Sequence, residues 1–411
     1  ALLERFTPTL SWPDFVAVLT WGVLGVLAAY LAARVAGKLL QGRYGKGAGL
    51  LAQRIVWYPL LVSGQGKVTV KTDDGETILQ TRNILLATGS VPRTLPFIKI
   101  DGERVMTSDE LLELATMPEH LLVLGAGAVG GEFASVFRSF GSEVTIVELA
   151  DRLVPIEDVE VSDEFAKAFK RRGIKSHVGT KLTAVEHTDT GIMATLEKAD
   201  GKKTGVSASH LLVAVGRAPV TANIGLEAAG VQMDRGFVKV DEYYRTAAPG
   251  IYAIGDIVAG TPQLAHAASS EGVTAVEHMA GLEPPTINYN HCPGCTYSNP
   301  EVGSLGLTEQ QAKDAGYTLK IGKFPFSAVG KAKVINDTTG FIKIVAEAKY
   351  NEILGVHIIG PHATELIAEV GPMLKLEYTV EELARTVHAH PTLAEAMGEA
   401  AHATLGHAIH M

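Results

Sequence analysis

From Lys67 onward the chain is a series of short apolar or alternating runs separated by turn residues. Lys67–Lys71 alternates with period two, as a half-buried strand does, and Asp73-Asp74-Gly75 is a hairpin signal. Three short, wholly apolar runs follow the rule for strands covered on both faces. Ile84–Ala87 ends in Thr88-Gly89-Ser90, Leu211–Val215 ends in Gly216-Arg217-Ala218-Pro219, and Ile251–Ile254 ends in Gly255-Asp256. Between the first two, Leu121–Leu124 runs into Gly125-Ala126-Gly127-Ala128-Val129-Gly130. Phe133, Val136, Phe137 and Phe140 then recur at helical spacing, Gly141 stops the helix, and Glu143–Glu148 alternates as the next strand. After the Pro284-Pro285 linker the pattern predicts strands over Phe341–Ala346 and Ile353–Ile359. It predicts helices over Ala363–Leu376 and Thr392–His407. Strands alternating with helices in this way predict an α/β fold.

The first 65 residues break the pattern. They hold two acidic residues (Glu4, Asp14) and six basic ones (Arg5, Arg34, Lys38, Arg43, Lys46, Arg54), so they carry +4 and the remainder −13 of the net −9. All three Trp lie here too, at 12, 21 and 57. Phe15–Ala33 is uncharged and is followed by Arg34, Lys38, Arg43 and Lys46, the pattern of a membrane-spanning helix with its C-terminal side in the cytoplasm. Three readings stay open: a membrane anchor, a buried apolar helix, or a replaced or frame-shifted stretch. The abrupt change in composition favours the last.

With 46% apolar and 20% charged residues the chain is globular and long enough for several domains. The acidic balance argues against a nucleic-acid binder, whose phosphate contacts need clustered Lys and Arg. Only Cys292 and Cys295 are present, so no extracellular disulfide framework exists, and a reducing compartment, the cytoplasm, is the expected location. No metal site is expected, because no second Cys pair accompanies Cys292-Pro293-Gly294-Cys295 and His291 adds at most a third ligand. The pair is read as structural.

The glycine run carries the clearest chemistry. Gly125 permits a tight turn, Gly127 lets backbone N–H groups approach a pyrophosphate, and Gly130 allows close packing of helix on strand. Glu148, 23 residues after Gly125 at the end of the second strand, is placed to accept from a ribose 2′-hydroxyl. It would repel a 2′-phosphate, so NAD is expected rather than NADP. Asp256 beside Gly255 and the Thr88-Gly89-Ser90 strand end are candidates for a polyol crossing a sheet edge.

The tail His388-Ala389-His390-Pro391-Thr392-Leu393-Ala394-Glu395, with its helix ending Gly406-His407-Ala408-Ile409-His410, is similar to the C-terminus of the dihydrolipoamide dehydrogenase family of flavoprotein disulfide reductases. The resemblance extends over Gly66–Met411. It includes Gly255–Gly260, Leu264-Ala265-His266, Glu271-Gly272, Cys295-Thr296-Tyr297 and Pro300-Glu301-Val302. It implies a Rossmann-type NAD domain inserted in a partial FAD-binding domain, followed by a C-terminal α+β dimerisation domain. The expected segments are an anomalous stretch at 1–65, partial FAD domain at 66–115, NAD domain at 116–243, FAD-binding and central segment at 244–285, and dimerisation domain at 286–411. The implied activity is oxidation of dihydrolipoamide to lipoamide with reduction of NAD⁺ through FAD, in a homodimer that serves the lipoyl-bearing acyltransferase of a 2-oxoacid dehydrogenase complex.

By the same resemblance Gly125, Ala126, Gly127, Ala128, Val129, Gly130, Gly131, Glu132, Glu148, Leu182 and Gly216 would line the NAD site, with Glu132 near the nicotinamide. Thr88, Gly89, Ser90, Asp256, Gln263, Leu264, Ala265 and His266 would contact FAD. His390 would be the acid/base and Glu395 its orienting partner, acting in the partner subunit's site. Independently of resemblance, Pro391 suits the first position of a helix and biases His390 to extended backbone, so the ring is expected at a helix entrance with Glu395 one turn inside. An imidazole so held can move a thiol proton near neutral pH. His388, His402, His407 and His410 are read as surface or interface residues.

The chain departs from the family in one region. The resemblance implies a Gly-x-Gly-x-x-Gly loop for the FAD diphosphate and a redox-active Cys-x4-Cys pair before residue 66, and residues 1–65 contain neither. Without them the usual electron route from dithiol to flavin is interrupted. The alternative reading is therefore a catalytically incomplete NAD-binding dimer, membrane-anchored or not, or another disulfide reductase of the same superfamily.

Overall fold

The computed structural model describes residues 15–19, 60–62, 66–72 and 75–410. They form two compact units, one drawn from Ala1–Val91 and Arg217–Tyr289, the other from Pro92–Gly216 and Asn290–Met411. The chain thus leaves the first unit and returns to it. Residues 217–243, expected at the end of the NAD segment, group with the first unit.

In the first unit, strand β1 (Phe15–Leu19) runs parallel to β5 (Asn83–Ala87), with Phe15 opposite Asn83 and Leu19 opposite Ala87. Strand Ile251–Ala253 pairs in parallel with the other edge of β5, Ile251 opposite Ile84. The start of the apolar stretch is therefore a strand and not the first turn of a spanning helix. Phe-Val-Ala-Val-Leu is the short β-branched and aromatic run that a covered parallel sheet uses. The rest of that expectation, residues 20–33, lies outside the described residues. No helix among the described residues is long and apolar enough to cross a membrane. Strands β2 (Leu60–Val62), β3 (Lys67–Thr72) and β4 (Gly75–Gln80) form an antiparallel meander, with Thr72 opposite Gly75; Asp73 and Asp74 of the predicted turn lie outside the described residues. Val62, Val68 and Val70 bury against Ile84, Leu86, Ile251 and Ala253.

The second unit begins with a parallel sheet in the order β9-β8-β7-β10-β6. These are β6 (Val105–Met106), β7 (His120–Leu124), β8 (Glu143–Val147), β9 (Lys175–His177) and β10 (His210–Val213). Helix α1 (Ala128–Ser139) joins β7 to β8, and α2 (Val159–Arg171) joins β8 to β9. Phe165 and Phe169 of α2 pack with Leu121, Val123 and Ile146 of the sheet. A three-stranded meander over residues 180–208 follows, and its Leu182, Ile192 and Ala194 bury with Leu124 and Val147.

The C-terminal part is an antiparallel sheet, order β11-β12-β15-β14-β13. Its strands are β11 (Gly294–Thr296), β12 (Glu301–Gly306), β13 (Leu319–Pro325), β14 (Phe341–Glu347) and β15 (Ile353–Gly360). The helix expected over Ala363–Leu376 is divided into Ala363–Leu366, a 3₁₀ turn Ile367–Glu369, and Val370–Lys375. Pro372 removes an N–H donor there and crowds the carbonyl four residues earlier. The last helix, α3 (Glu395–Thr404), starts three residues later than expected and is followed by left-handed Gly406.

One buried ion cluster joins the two parts of this unit. Lys343 of β14 places Nζ 2.9 Å from Asp158, 2.9 Å from Glu160 and 2.6 Å from Glu309. Asp158 also caps α2 through the Glu160 N–H. Lys343 and Asp158 are 1% and 2% exposed, so removing one leaves the other charged and dry. That costs about 3–5 kcal/mol. Lys343→Met is expected to lower unfolding free energy by roughly that amount in urea melts. Burial pushes the Asp158 carboxyl up, but the Lys343 ammonium outweighs it and holds it below its ordinary value; Lys313 and Lys343 do the same for Glu309. Their stabilisation is therefore complete above the unfolded values of about 3.9–4.3 and is lost as pH falls through the lower folded values. Urea melts of wild type should weaken below about pH 4, more steeply than those of the Lys343 variant.

Candidate active site

The glycine turn closes β7 in the way its backbone requires. Gly125 has φ +104, and a Cβ there would lie 2.3 Å from the Ala214 carbonyl oxygen. A Cβ on Gly130 would lie 1.9 Å from the Gly125 oxygen, so α1 rests directly on the turn. Gly127 is the N-cap of α1 and supplies no side-chain cap, and a Cβ on it would meet nothing within 4 Å. The first N–H groups of a twelve-residue helix, those of Ala128 and Val129 among them, are thus left for an anion, and the space suits a dinucleotide diphosphate. Ala126 is buried, and its N–H donates to Glu148 Oε2 at 2.6 Å, while the Ala150 N–H donates to Oε1 at 2.7 Å. These bonds fix the Glu148 carboxylate directly after β8 and leave lone pairs for a ribose hydroxyl.

Other residues expected at this site are placed as follows. Gly131 is buried in α1, where a Cβ would lie 3.2 Å from the Phe165 ring. Glu132, one turn into α1, accepts the Tyr297 N–H at 2.8 Å; burial pushes its carboxyl up and that N–H only partly offsets the push. Leu182 has its side chain in the core, which leaves only its backbone for a ligand. Gly216, φ +102, follows β10 and accepts the Arg93 N–H at 2.9 Å.

The second cluster belongs to the first unit. Thr88 donates to the Val220 carbonyl, and Gly89, φ +71, accepts the Val220 N–H. Ser90 donates to Asp256 and accepts from Arg217 Nε at 2.6 Å. Thr88 and Ser90 are buried and their hydroxyls are spent within the protein, so they set the strand end and do not present side chains. Gln263 donates to the Asp256 carbonyl at 3.2 Å. Helix Ala265–Met279 starts after Leu264 with no side-chain cap, so its first turn begins with Ala265 near the Asp256 segment, and the His266 beside it is exposed. A carboxylate and uncapped donors at a strand end fit a flavin's polyol and ring oxygens. Arg217 and Tyr297 were missed in the sequence; Arg217 directly follows a strand-ending Gly, the one signal that could have marked it.

In the tail, His390 Nδ1 lies 2.8 Å from Glu395 Oε1, and Glu395 Oε2 accepts the Thr392 N–H at 2.9 Å. The pair forms as expected but by another local route. The His390–Pro391 peptide is cis, Pro391 is outside the helix, and Glu395 is the first residue of α3. Burial pushes the Glu395 carboxyl up, but the His390 ring and the Thr392 N–H outweigh it and hold it below its usual value. The His390 ring is 79% exposed, so its second nitrogen is open to a substrate. Two other tail histidines are not bare surface residues: His388 pairs with Glu369 at 2.9 Å and His410 with Glu399 at 2.6 Å. No disulfide joins Cys292 and Cys295, and burial pushes the Cys295 thiol up.

A strand-turn-helix with an anion-ready N-terminus marks a dinucleotide-binding protein. The chain belongs to the pyridine nucleotide-disulphide oxidoreductase family, which residues 50–272 match, and residues 292–401 match that family's dimerisation domain. It is 45% identical over 349 residues to the dihydrolipoyl dehydrogenase of Bacillus subtilis, covering 84% of this chain and 73% of that protein. It is 44% identical over 358 residues to that of Zymomonas mobilis, covering 85% and 77%. Among solved structures, LpdA from Mycobacterium tuberculosis matches with a TM-score of 0.77 at 27% identity, over 92% of this chain and 89% of that one. The flavoprotein disulfide reductase RclA from Escherichia coli, at 23% identity and a TM-score of 0.76 over 92% and 89%, shares the fold. The chain is thus an NAD-dependent flavoprotein disulfide oxidoreductase that uses FAD and NAD(H), and its dimerisation domain makes it a homodimer.

Gly130→Val should force α1 off the turn and abolish the heat of NADH binding in calorimetric titration. Wild type should bind NADPH at least tenfold more weakly than NADH, because the fixed Glu148 carboxylate faces the extra phosphate.

Proposed function

We propose that this protein is a dihydrolipoyl dehydrogenase, oxidising dihydrolipoamide to lipoamide with reduction of NAD⁺, for the lipoyl-bearing acyltransferase of a 2-oxoacid dehydrogenase complex. The observation that carries the proposal is the His390–Glu395 pair, an exposed imidazole with one nitrogen held by a carboxylate. With Nδ1 donating to Glu395, the neutral ring presents Nε2 as the base. It can take the proton of a substrate thiol and so supply the thiolate form that oxidation of the dithiol requires. FAD and NAD⁺, when bound, supply the electron transfer and the hydride acceptance.

The division of labour in this reading is spatial. Gly125 to Glu132, Glu148, Gly216 and the Leu182 backbone bind and orient the nicotinamide cofactor. Gly89, Asp256, Gln263 and the N-terminal turn of helix Ala265–Met279 hold the flavin, with Thr88, Ser90 and Arg217 fixing the strand end behind them. His390 and Glu395 serve the partner protomer's site. The raised Cys295 thiol fits a structural role for the Cys292–Cys295 pair, and the two-cysteine composition keeps the cytoplasm as the proposed location.

The purified chain should be yellow and should form NADH from NAD⁺ and dihydrolipoamide. His390→Gln should lower kcat/KM for dihydrolipoamide by roughly 10²–10⁴ while leaving NADH binding intact. A colourless protein, or one that binds both cofactors yet does not oxidise dihydrolipoamide, would refute the proposal.

A further inference from the structure

Glu271, in helix Ala265–Met279, is wholly buried, and nothing in the reaction described above uses it. Its Oε2 accepts the Gly255 N–H at 2.6 Å, and its Oε1 accepts from the Tyr289 hydroxyl at 2.7 Å. The Tyr289 hydroxyl lies 2.9 Å from that of Tyr244. Gly255 is left-handed, φ +72, and a Cβ on it would lie 3.2 Å from the Cβ of Ala268 in the same helix. The turn that carries Asp256 is therefore pressed against the helix and tied to it through one carboxyl group.

Tyr244 adds an independent sign. A bulky residue at φ +66 is a backbone outlier that survives only where its surroundings dictate it. Here its N–H donates to the Asp241 carbonyl and its own carbonyl accepts the Ala253 N–H, which fixes the ring where its hydroxyl meets Tyr289. Tyr244 and Tyr289 also line a cavity of about 240 Å³ with Ala259, Gly260 and Thr261.

We propose that Glu271 is a positioning residue, holding the Gly255–Asp256 turn in the form that receives the flavin and held in turn by the Tyr289–Tyr244 pair. The assignment rests on the flavin reading given above. Burial pushes the Glu271 carboxyl up, and the neighbouring Asp256 adds to this, against the opposing pull of the Gly255 N–H and Tyr289. A glutamine can keep these contacts: the amide oxygen accepts from Gly255, and the amide nitrogen donates to the Tyr289 oxygen, whose hydroxyl then turns to donate to Tyr244. A leucine fills similar space but leaves a buried N–H and a buried hydroxyl unpaired.

The test compares full-length wild type, Glu271→Gln, Glu271→Leu and Tyr289→Phe by two readouts: amide exchange at Gly255 without added FAD, and FAD affinity from quenching of flavin fluorescence. Calorimetric NADH binding checks that each variant is folded. Glu271→Leu should exchange at Gly255 and release FAD about tenfold or more faster and more weakly than wild type, while Glu271→Gln stays within about threefold. Tyr289→Phe should fall between them, and it decides the matter if the leucine variant does not fold. Wild-type protection and FAD affinity in Glu271→Leu, or in Tyr289→Phe where the leucine variant is unfolded, would overturn the assignment. Wild-type protein that binds no FAD overturns the functional reading by itself, and the exchange rates then decide the role of Glu271 in the turn.

Discussion

The close approach of Gly130 to the Gly125 carbonyl governs how helix α1 meets strand β7. No side chain fits between them, because the position a Cβ would take lies 1.9 Å from that oxygen. Only with glycine at 130 can α1 begin where β7 ends, and only then do its free N–H groups converge on the space above Gly127. The same turn sets Ala126, whose N–H fixes Glu148. The uncapped helix start and the fixed Glu148 carboxylate are thus consequences of one steric fact.

A similar economy operates at the other two clusters. In the first unit, Ser90 links Asp256 to Arg217, so a strand end and a turn far apart in sequence share one hydrogen-bonded unit. In the tail, Glu395 uses one oxygen for the Thr392 N–H and the other for His390, so the carboxylate that orients the imidazole also holds the loop before α3. In each case a polar group near the chemistry also does structural work, which is why single changes there should have effects beyond one contact.

The glycine turn, Glu148 and the His390–Glu395 pair were legible in the sequence because each depends on local spacing. The path of the tail was less so: Pro391 suggested a helix start, but the helix begins at Glu395, where an acidic side chain suits the positive end of the dipole. The Ala363–Leu376 helix was read as continuous because its apolar spacing hides the effect of Pro372. The strand Phe15–Leu19 is not legible in the sequence, because an uncharged run has no period of its own and its pairing with Asn83–Ala87 is a contact over more than sixty residues. Arg217, Tyr297 and the Glu271 network were hidden for the same reason: each bonds to a residue distant in sequence.

The proposed activity requires both a nicotinamide site and a flavin site in one chain. Anaerobic stopped-flow mixing of the purified protein with NADH tests this most directly. The visible flavin band should bleach in a single turnover and recover when NAD⁺ is added in excess. A flavin that stays oxidised while calorimetry shows NADH bound would contradict the claim.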